Sequence, residues 1–340
     1  MQNNLAHISI IFIISVSVFP VFSLEISQVK VGANPWAVAV NPVTNMIYVT
    51  NSGNDTVSVI DGRSGMVIKN ITIGENPTGV SVNHVTNTIY VSKFSSPTVS
   101  VIDGTTNTIT ANITVNNQPN GIGVNEITNN IYVTNMGAAS VSVINGKTNS
   151  VSATISVGVR PTAVSINPST DIAYVTNSGA GTVSVINATT NTVIKTIPTG
   201  SNPTGVAVNP ETNMVYVSSF KTSQVFIING NTNTITANVT VGTNPDGVTI
   251  NPILDRIYVA NSGDGTISVI DGKTNTVSRI IPAGTHIYGI ATNPSTDMVY
   301  AGNDNPGIIY AISDIEKSQS SSHDIWQNII QFFSHLFNLK

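Results

Sequence analysis

A tyrosine recurs every 42 residues along this chain, and no insertion interrupts the spacing. The seven copies are Tyr48, Tyr90, Tyr132, Tyr174, Tyr216, Tyr258 and Tyr300. Each repeat holds four runs of strand-forming residues, which are separated by Asn-Pro, Asn-Gly or Asp-Gly turns. A repeat of about 40 to 45 residues with four short strands is typical of one blade of a β-propeller. The sequence therefore predicts an all-β fold, a seven-bladed β-propeller with four antiparallel strands in each blade.

The innermost predicted strand of each repeat alternates small and branched residues. In the fifth repeat, Gly205 and Ala207 alternate with Val206 and Val208. Because successive residues of a strand face opposite sides, the bulky face of one blade can pack on the small face of the next. Burial of both faces of every blade would account for a hydrophobic content of 40%.

The seventh repeat has three predicted strands and then runs into a polar segment that starts at Ser313. The missing strand has a counterpart at the other end of the chain. Glu25 to Val31, followed by Gly32, aligns with the outer strand from Val193 to Gly200. We therefore expect the N-terminal strand to complete the last blade, which would close the ring without an open sheet edge.

The tetrapeptide Tyr-Val-Thr-Asn at Tyr48, Tyr132 and Tyr174, with Ser-Val-Ile-Asp from Ser58, resembles the YVTN β-propeller repeat family. The resemblance covers about residues 25–313. It implies a propeller of the surface-layer type found on archaeal and bacterial cells. Related propellers also serve as lactonase-like enzymes and as electron-transfer subunits, so the resemblance predicts the fold and leaves the activity open.

The N-terminal residues differ from the repeats. Residues 8–22 are apolar, and small residues at the end of this run suit a signal peptidase, so residues 1–23 are predicted to be an export signal. An uncleaved anchor from Leu5 to Leu24 is the alternative. The propeller itself is predicted to span residues 24–313.

The C-terminal residues also change character. After a predicted linker at residues 314–322, apolar residues recur at helical spacing, so residues 323–340 are predicted to form an amphipathic helix. We expect residues 325–339 to dock on a membrane surface or a partner. The alternative is that this segment packs back on the propeller.

The charge and the cysteine content of the chain exclude some classes of partner and of chemistry. The net charge is −4 and only 9% of the residues are charged, so no basic surface is expected and nucleic acid is excluded as a partner. The chain has no cysteine, which excludes disulfides and thiolate chemistry. Candidate glycosylation sites are Asn54, Asn70, Asn112, Asn187 and Asn238. Frequent Asn-x-Thr triplets also arise by composition in such a chain, so both interpretations stay open.

The loop before each innermost strand identifies candidate site residues, because three consecutive repeats depart there from the Asn-Pro-Thr pattern. The departures are Asp246, His286, Tyr288 and Trp36. A histidine beside an acid, with two aromatic rings, could bind a sugar, a polar small molecule or a partner loop. The alternative is that Trp36 and Tyr288 plug the channel where the ring closes. Arg160, across the ring, is either an anion contact or a solvated side chain.

Two further pairs stand out. Phe94 and Phe220, with Lys93 and Lys221 beside them, interrupt the usual loop between the second and third strands and could form an exposed apolar and cationic patch for a partner. Their blades are not neighbours, so independent local packing is expected instead. His84 and Glu126 replace a turn proline in adjacent repeats and are weak candidates for a metal site. Two ligands are fewer than the three or four that such sites use.

The sequence therefore favours an exported cell-surface propeller that acts as a non-catalytic binding or structural module, like a surface-layer protein, with no cofactor. Its expected partners are an envelope protein, another cell-surface protein or a glycan. The alternative is a lactonase-like or lyase-like enzyme that uses His286 and Asp246 at the channel mouth with a divalent metal. The sequence favours the binding module, since no known catalytic motif is present.

Overall fold

Short polar residues hold the turn positions that require left-handed backbone dihedrals. Asn45 has a φ of 57° in the turn after the innermost strand, and Asn107 has a φ of 52° in the turn before an outer strand. Asparagine and aspartate tolerate this region better than other residues with a side chain. Their recurrence divides the chain into strands of similar length, separated by tight turns.

The computed structural model describes residues 21–317. The strands are β1 (Val21–Lys30), β2 (Pro35–Asn41), β3 (Met46–Asn51), β4 (Thr56–Asp61), β5 (Met66–Thr72), β6 (Pro77–Asn83), β7 (Thr88–Lys93), β8 (Thr98–Asp103), β9 (Thr108–Thr114), β10 (Pro119–Asn125), β11 (Asn130–Asn135), β12 (Ser140–Asn145), β13 (Ser150–Ser156), β14 (Pro161–Asn167), β15 (Ile172–Asn177), β16 (Thr182–Asn187), β17 (Thr192–Pro198), β18 (Pro203–Asn209), β19 (Met214–Ser219), β20 (Gln224–Asn229), β21 (Thr234–Thr240), β22 (Pro245–Asn251), β23 (Arg256–Asn261), β24 (Thr266–Asp271), β25 (Thr276–Pro282), β26 (Ile287–Asn293), β27 (Met298–Asn303) and β28 (Ile308–Lys317). A short 3-10 helix, Met136–Ala138, lies between β11 and β12.

The strands of residues 21–317 form seven antiparallel sheets of four strands each. Blades one to six each take four consecutive strands, starting with β2–β5 and ending with β22–β25. The seventh blade has the order β1-β28-β27-β26, so the N-terminal strand is its outer strand. The predicted seven-bladed β-propeller is therefore confirmed, together with its closure by the N-terminal strand.

The hydrophobic core lies between neighbouring blades. Tyr48 and Val59 of blade one pack with Val80 and Ile89 of blade two in one buried cluster. At the closure, a cluster joins Tyr300 of blade seven to blade one and to β1. Layers of this kind bury both faces of each sheet, as the alternation of small and branched residues predicts.

A belt of side-chain hydrogen bonds runs around the face where the first and second strands of each blade turn. The last residue of each innermost strand is a buried asparagine whose Nδ2 donates to the left-handed turn residue of the next blade. The donor and acceptor pairs are Asn41–Asn87, Asn83–Asn129, Asn125–Asp171, Asn167–Asn213, Asn209–Asp255, Asn251–Asp297 and Asn293–Asn45. The last pair links blade seven to blade one at 2.7 Å, so the belt is closed.

Residues Ile26–Ser313 form one compact unit. Strand β1 begins at Val21 and β28 extends to Lys317, so both strands reach past the predicted propeller limits at 24 and 313. The rest of the predicted export signal and the predicted helix at residues 323–340 lie outside the described residues. The domain limits at the two ends therefore stay predictions.

Candidate functional site

Two sets of loops meet on one face of the propeller, which we call the mouth. The residue before each innermost strand has a left-handed φ; these residues are Asn34, Asn76, Gln118, Arg160, Asn202, Asn244 and His286. In each blade the carbonyl of this residue accepts a backbone hydrogen bond from the loop between the second and third strands. Ser52 N–H donates to the Asn34 carbonyl at 3.0 Å, for example. The loops that depart from the repeat pattern are thus fastened around a common opening.

A cavity of about 780 Å³ lies at the mouth, and residues from all seven blades line it. Its volume falls within the range of roughly 300 to 1,000 Å³ that is usual for ligand sites. Trp36 and Tyr288 line this cavity, so the two rings do not fill it. Arg160 and Asp246 are the charged members of the described lining, which is otherwise formed by polar amides, hydroxyls, glycines, alanines and apolar side chains.

The aromatic residues of blades one and seven form a stacked pair. The ring centroids of Trp36 and Tyr288 are 5.0 Å apart, and the ring planes meet at 21°. Both occupy the second position of an innermost strand, β2 and β26, so ring closure brings them together. Trp36 remains 40% exposed, whereas Tyr288 is half-buried. The pair therefore presents a fixed aromatic surface to the cavity.

Asp246 occupies the equivalent position in β22, next to Tyr288 in the ring of blades. Burial raises the pKa of its carboxyl to about 7, although a hydrogen bond from the Thr204 side chain acts in the opposite direction. The pKa of Tyr288 is also raised, first by burial and then by the negative charges of Asp304 and Asp246. A carboxyl that keeps its proton near neutral pH can donate as well as accept a hydrogen bond.

The other two candidates of the mouth differ in position. Arg160 is exposed and lines the cavity from blade four. His286 is exposed on the rim, and its carbonyl accepts a hydrogen bond from Asp304 N–H at 3.3 Å. The cavity lining within residues 21–317 includes Asp246 but not His286. Trp36, Tyr288 and Asp246 therefore line one cavity, and His286 lies outside the described lining.

Hydroxyl groups link five of the seven blade junctions beside the cavity. The third residue of the Tyr-Val-Thr-Asn segment donates its hydroxyl to a carbonyl of the next blade, at 2.5 to 3.0 Å. The pairs are Thr50 to Thr78, Ser92 to Asn120, Thr134 to Thr162, Thr176 to Thr204 and Ser218 to Asp246. Blades six and seven have Ala260 and Gly302 at this position, so the carbonyls of Tyr288 and Trp36 lack this donor. The aromatic pair thus lies where the repeat pattern of links is interrupted.

The structure brings Phe94 and Phe220 to the same cavity. Both are half-buried and line it together with Trp36 and Tyr288, although their blades are not neighbours. The two side chains therefore share one cavity, and the expectation that each packs independently within its own blade stays a prediction. Their common position in the mouth-facing loop was the sequence signal for this arrangement.

His84 and Glu126 pair on the opposite face. His84 Nδ1 and Glu126 Oε1 are 2.9 Å apart, and each side chain is about one-third exposed. In the part of the chain that the structure describes, no group of three or more His, Cys, Asp or Glu residues is placed to hold a metal ion. The two residues form an inter-blade contact, and their role as metal ligands stays a weak prediction.

The candidate glycosylation sites differ in exposure. Asn70, Asn112 and Asn238 are exposed on the outer strands β5, β9 and β21. Asn54 is exposed in a loop and its Oδ1 accepts a hydrogen bond from Ala33 N–H. Asn187 is half-buried at the end of β16. Glycosylation at these sites stays a prediction.

Comparisons with known proteins support the fold. The hydrazine synthase structure of Kuenenia stuttgartiensis superposes with a TM-score of 0.77 at 17% sequence identity, covering 85% of this chain and 98% of that chain. Identity this low supports likeness of fold alone. The PE-PGRS family protein PE_PGRS18 of Mycobacterium tuberculosis is 64% identical over 36 residues, which are 11% of this chain and 8% of the relative.

No protein-family profile matches the sequence, so membership of the YVTN repeat family stays a prediction from the residues. Between residues 21 and 317, the structure contains no helix that is long and apolar enough to cross a membrane.

Proposed function

We propose that this protein is an exported, cell-surface-associated propeller of surface-layer type that acts as a non-catalytic binding module, with the mouth cavity as its binding site. The observation that carries the proposal is the cavity itself. It is about 780 Å³ in volume, it draws residues from every blade, and it exposes an aromatic ring beside a largely buried carboxyl. Pockets that combine apolar surface with a few converging polar groups are the usual sites of ligand recognition.

The variation among blades supports the same conclusion. Six of the seven repeat tyrosines are less than 2% exposed, as a scaffold residue requires, whereas several residues that depart from the repeat pattern line the mouth cavity. Trp36, Asp246 and Tyr288 occupy one equivalent position in three adjacent blades. The other four blades have threonine or asparagine at this position, so a blade can form without an acid or an aromatic ring there.

The proposed location and partners rest on the sequence. The apolar run at residues 8–22 supports export, and residues 325–339 are proposed to hold the protein on a membrane surface or an envelope partner. We test this by fractionating cells that express the full chain and a variant that lacks residues 1–23. The full chain is expected in the envelope fraction and the variant in the cytosol; a full chain found wholly in the cytosol would contradict the proposal.

Binding at the mouth is tested by screening the purified protein against immobilised glycans, peptides and small polar molecules. A ligand of the mouth is expected to lose at least tenfold in affinity with Trp36→Ala. The matched control is His286→Ala, which changes an exposed rim residue outside the described cavity lining. Ligands that bind both variants equally well would place recognition elsewhere on the protein.

One observation favours a second candidate, a lactonase-like or lyase-like hydrolytic activity. The pKa of Asp246, raised by burial to about 7, suits a general acid or base at neutral pH. Hydrolysis of a lactone panel, with and without added divalent metal, tests this candidate. Loss of turnover in Asp246→Asn with retained folding would support it, and equal rates in the variant and the parent protein would remove it.

A further inference from the structure

The Trp36–Tyr288 pair offers a ligand one aromatic face rather than a slot. The two rings already stack on each other at 5.0 Å, so no ligand ring can enter between them. Trp36 nevertheless keeps 40% of its surface exposed beside the cavity. A ligand that packs on this surface must present an apolar face of its own while its edges satisfy the polar groups around it.

The polar groups around this face are mostly uncharged. Asn34, Asn76, Asn120 and Asn202 line the cavity, and Arg160 is the single cation in the described lining. A ligand with several phosphates would need a cluster of cations, which this lining does not supply. The surroundings therefore favour a neutral ligand that has many hydrogen-bonding groups.

Asp246 fits the same kind of ligand. Its carboxyl adjoins Tyr288 and accepts a hydrogen bond from the Thr204 side chain, and burial raises its pKa to about 7. At neutral pH the carboxyl therefore holds its proton for much of the time. In that form it resembles an amide, because it can donate one hydrogen bond and accept others.

We infer that the mouth binds a neutral saccharide, with the C–H face of one pyranose ring packed on Trp36 and its hydroxyls bonded to Asp246 and the neighbouring asparagines. A pyranose has an apolar face that can pack on the Trp36 ring, and polar edges that can form hydrogen bonds with the polar groups around that ring. The inference rests on the proposed function of the mouth as a binding site and names the class of ligand.

The experiment uses the full chain on an array of neutral oligosaccharides built from hexoses and N-acetylhexosamines, with calorimetric titration of each hit. Trp36→Ala is expected to weaken binding at least tenfold. Asp246→Leu is expected to do the same, whereas Asp246→Asn should stay within threefold of the parent protein, because an amide keeps a neutral donor and acceptor. His286→Ala is the matched control and should leave affinity unchanged, and circular dichroism verifies that each variant is folded.

The outcomes separate the ligand class from the binding function. If no neutral saccharide on the array binds, the inference is overturned. If a peptide or a nucleoside binds and depends on Trp36, the saccharide is wrong but the mouth remains a binding site. If no ligand depends on Trp36, both proposals fail. Equal loss in Asp246→Asn and Asp246→Leu would show that an ionised carboxylate is required, which overturns the inferred role of Asp246 as a neutral donor and acceptor.

Discussion

The repeat tyrosine is a residue that ties neighbouring blades together. Tyr48 and Tyr174 are fully buried in the core, and their hydroxyls donate to the turn residues Asn107 and Asn233 of the next blade at 3.2 and 3.0 Å. Burial raises the pKa of both tyrosines to about 12. A phenylalanine would fill the same volume but could not make this bond, which explains the choice of tyrosine at these positions.

Tyr174→Phe is expected to lower the free energy of unfolding by about 1 kcal/mol, since it removes a buried hydrogen bond and leaves Asn233 Oδ1 without this donor. Tyr216→Phe is the matched control. The Tyr216 hydroxyl is buried and has no hydrogen-bond partner among the described residues, so its loss should be neutral or slightly stabilising. Urea denaturation of the two variants measures the difference, and equal effects would contradict the assigned role.

Asp246 makes stability depend on pH. Its carboxyl has a pKa of about 7 in the folded protein, against an ordinary value of 3.8, so between these values the folded state binds the proton that the unfolded state has released. Stability is therefore expected to fall as the pH rises from about 4 to about 7 and to level off above that.

Asp246→Asn is expected to remove this dependence. At pH 8 the variant should be more stable by about 2 kcal/mol, because one pKa unit is worth about 1.4 kcal/mol and solvent in the cavity screens part of the cost. Near pH 4 the two proteins should converge. Thermal melts across this range measure the effect, and His286→Ala, which changes the nearby rim histidine, should keep the parent profile. A constant difference between Asp246→Asn and the parent protein at all pH values would contradict the prediction.

At the scale of elements, the second strand has two roles in five of the seven blades. Its tyrosine faces one neighbouring blade, and the hydroxyl residue two positions later links the mouth ends of adjacent innermost strands, as Thr50 does with the Thr78 carbonyl at 2.8 Å. Gly302 in β27 lacks a hydroxyl, so the joint between blades seven and one has no such link. The closure is therefore built with fewer hydrogen bonds at the mouth than most other junctions.

Gly302→Ser is expected to stabilise the protein by about 1 kcal/mol, because its hydroxyl can reach the Trp36 carbonyl as Thr50 reaches Thr78. The added Cβ would lie 3.4 Å from the Pro35 carbonyl oxygen, an ordinary contact distance. Gly302→Ala is the control and should give only the smaller gain, about 0.5 kcal/mol, that comes from restricting the unfolded chain. Thermal unfolding compares the two, and a serine variant no more stable than the alanine variant would show that the link does not form.

At the scale of the whole molecule, the ring is closed in two ways. Strand β1 completes the seventh sheet, and Asn293 Nδ2 donates to Asn45 Oδ1 at 2.7 Å on the face opposite the mouth. The second closure belongs to the belt of equivalent bonds that runs through every blade. A closed ring leaves no junction at which a blade face is exposed, so the closure is a condition for burying the first and the last sheet.

The belt can be tested at its closing bond. Asn45→Asp keeps an acceptor and should stay near the parent stability, since Asp171 and Asp255 fill the equivalent position in other blades. Asn45→Gly tolerates the left-handed φ of 57° but removes the acceptor, and it should cost about 1 kcal/mol. Asn129→Gly makes the same change at an internal junction. Thermal melts should show similar losses for the two glycine variants; no loss at Asn45 would mean that the closing bond is dispensable.

The sequence by itself determined the strands, the turns and the number of blades. These features are local or periodic, because side chains alternate along a strand and asparagine or glycine marks each tight turn. It also identified Glu25 to Val31 as the missing strand, since the register of the outer strands is the same in every repeat.

The tertiary structure decided which departures from the repeat share a site. Phe94 and Phe220 are distant in the chain and on blades that do not touch, yet both reach the central cavity because closure turns every mouth loop toward one axis. His286 and Tyr288 are two residues apart, but His286 is exposed on the rim with a left-handed φ whereas Tyr288 lines the cavity from β26. The repeat pattern in the sequence shows that these residues are unusual. Which of them line the mouth cavity depends on the curvature of the closed ring and on the local direction of the backbone.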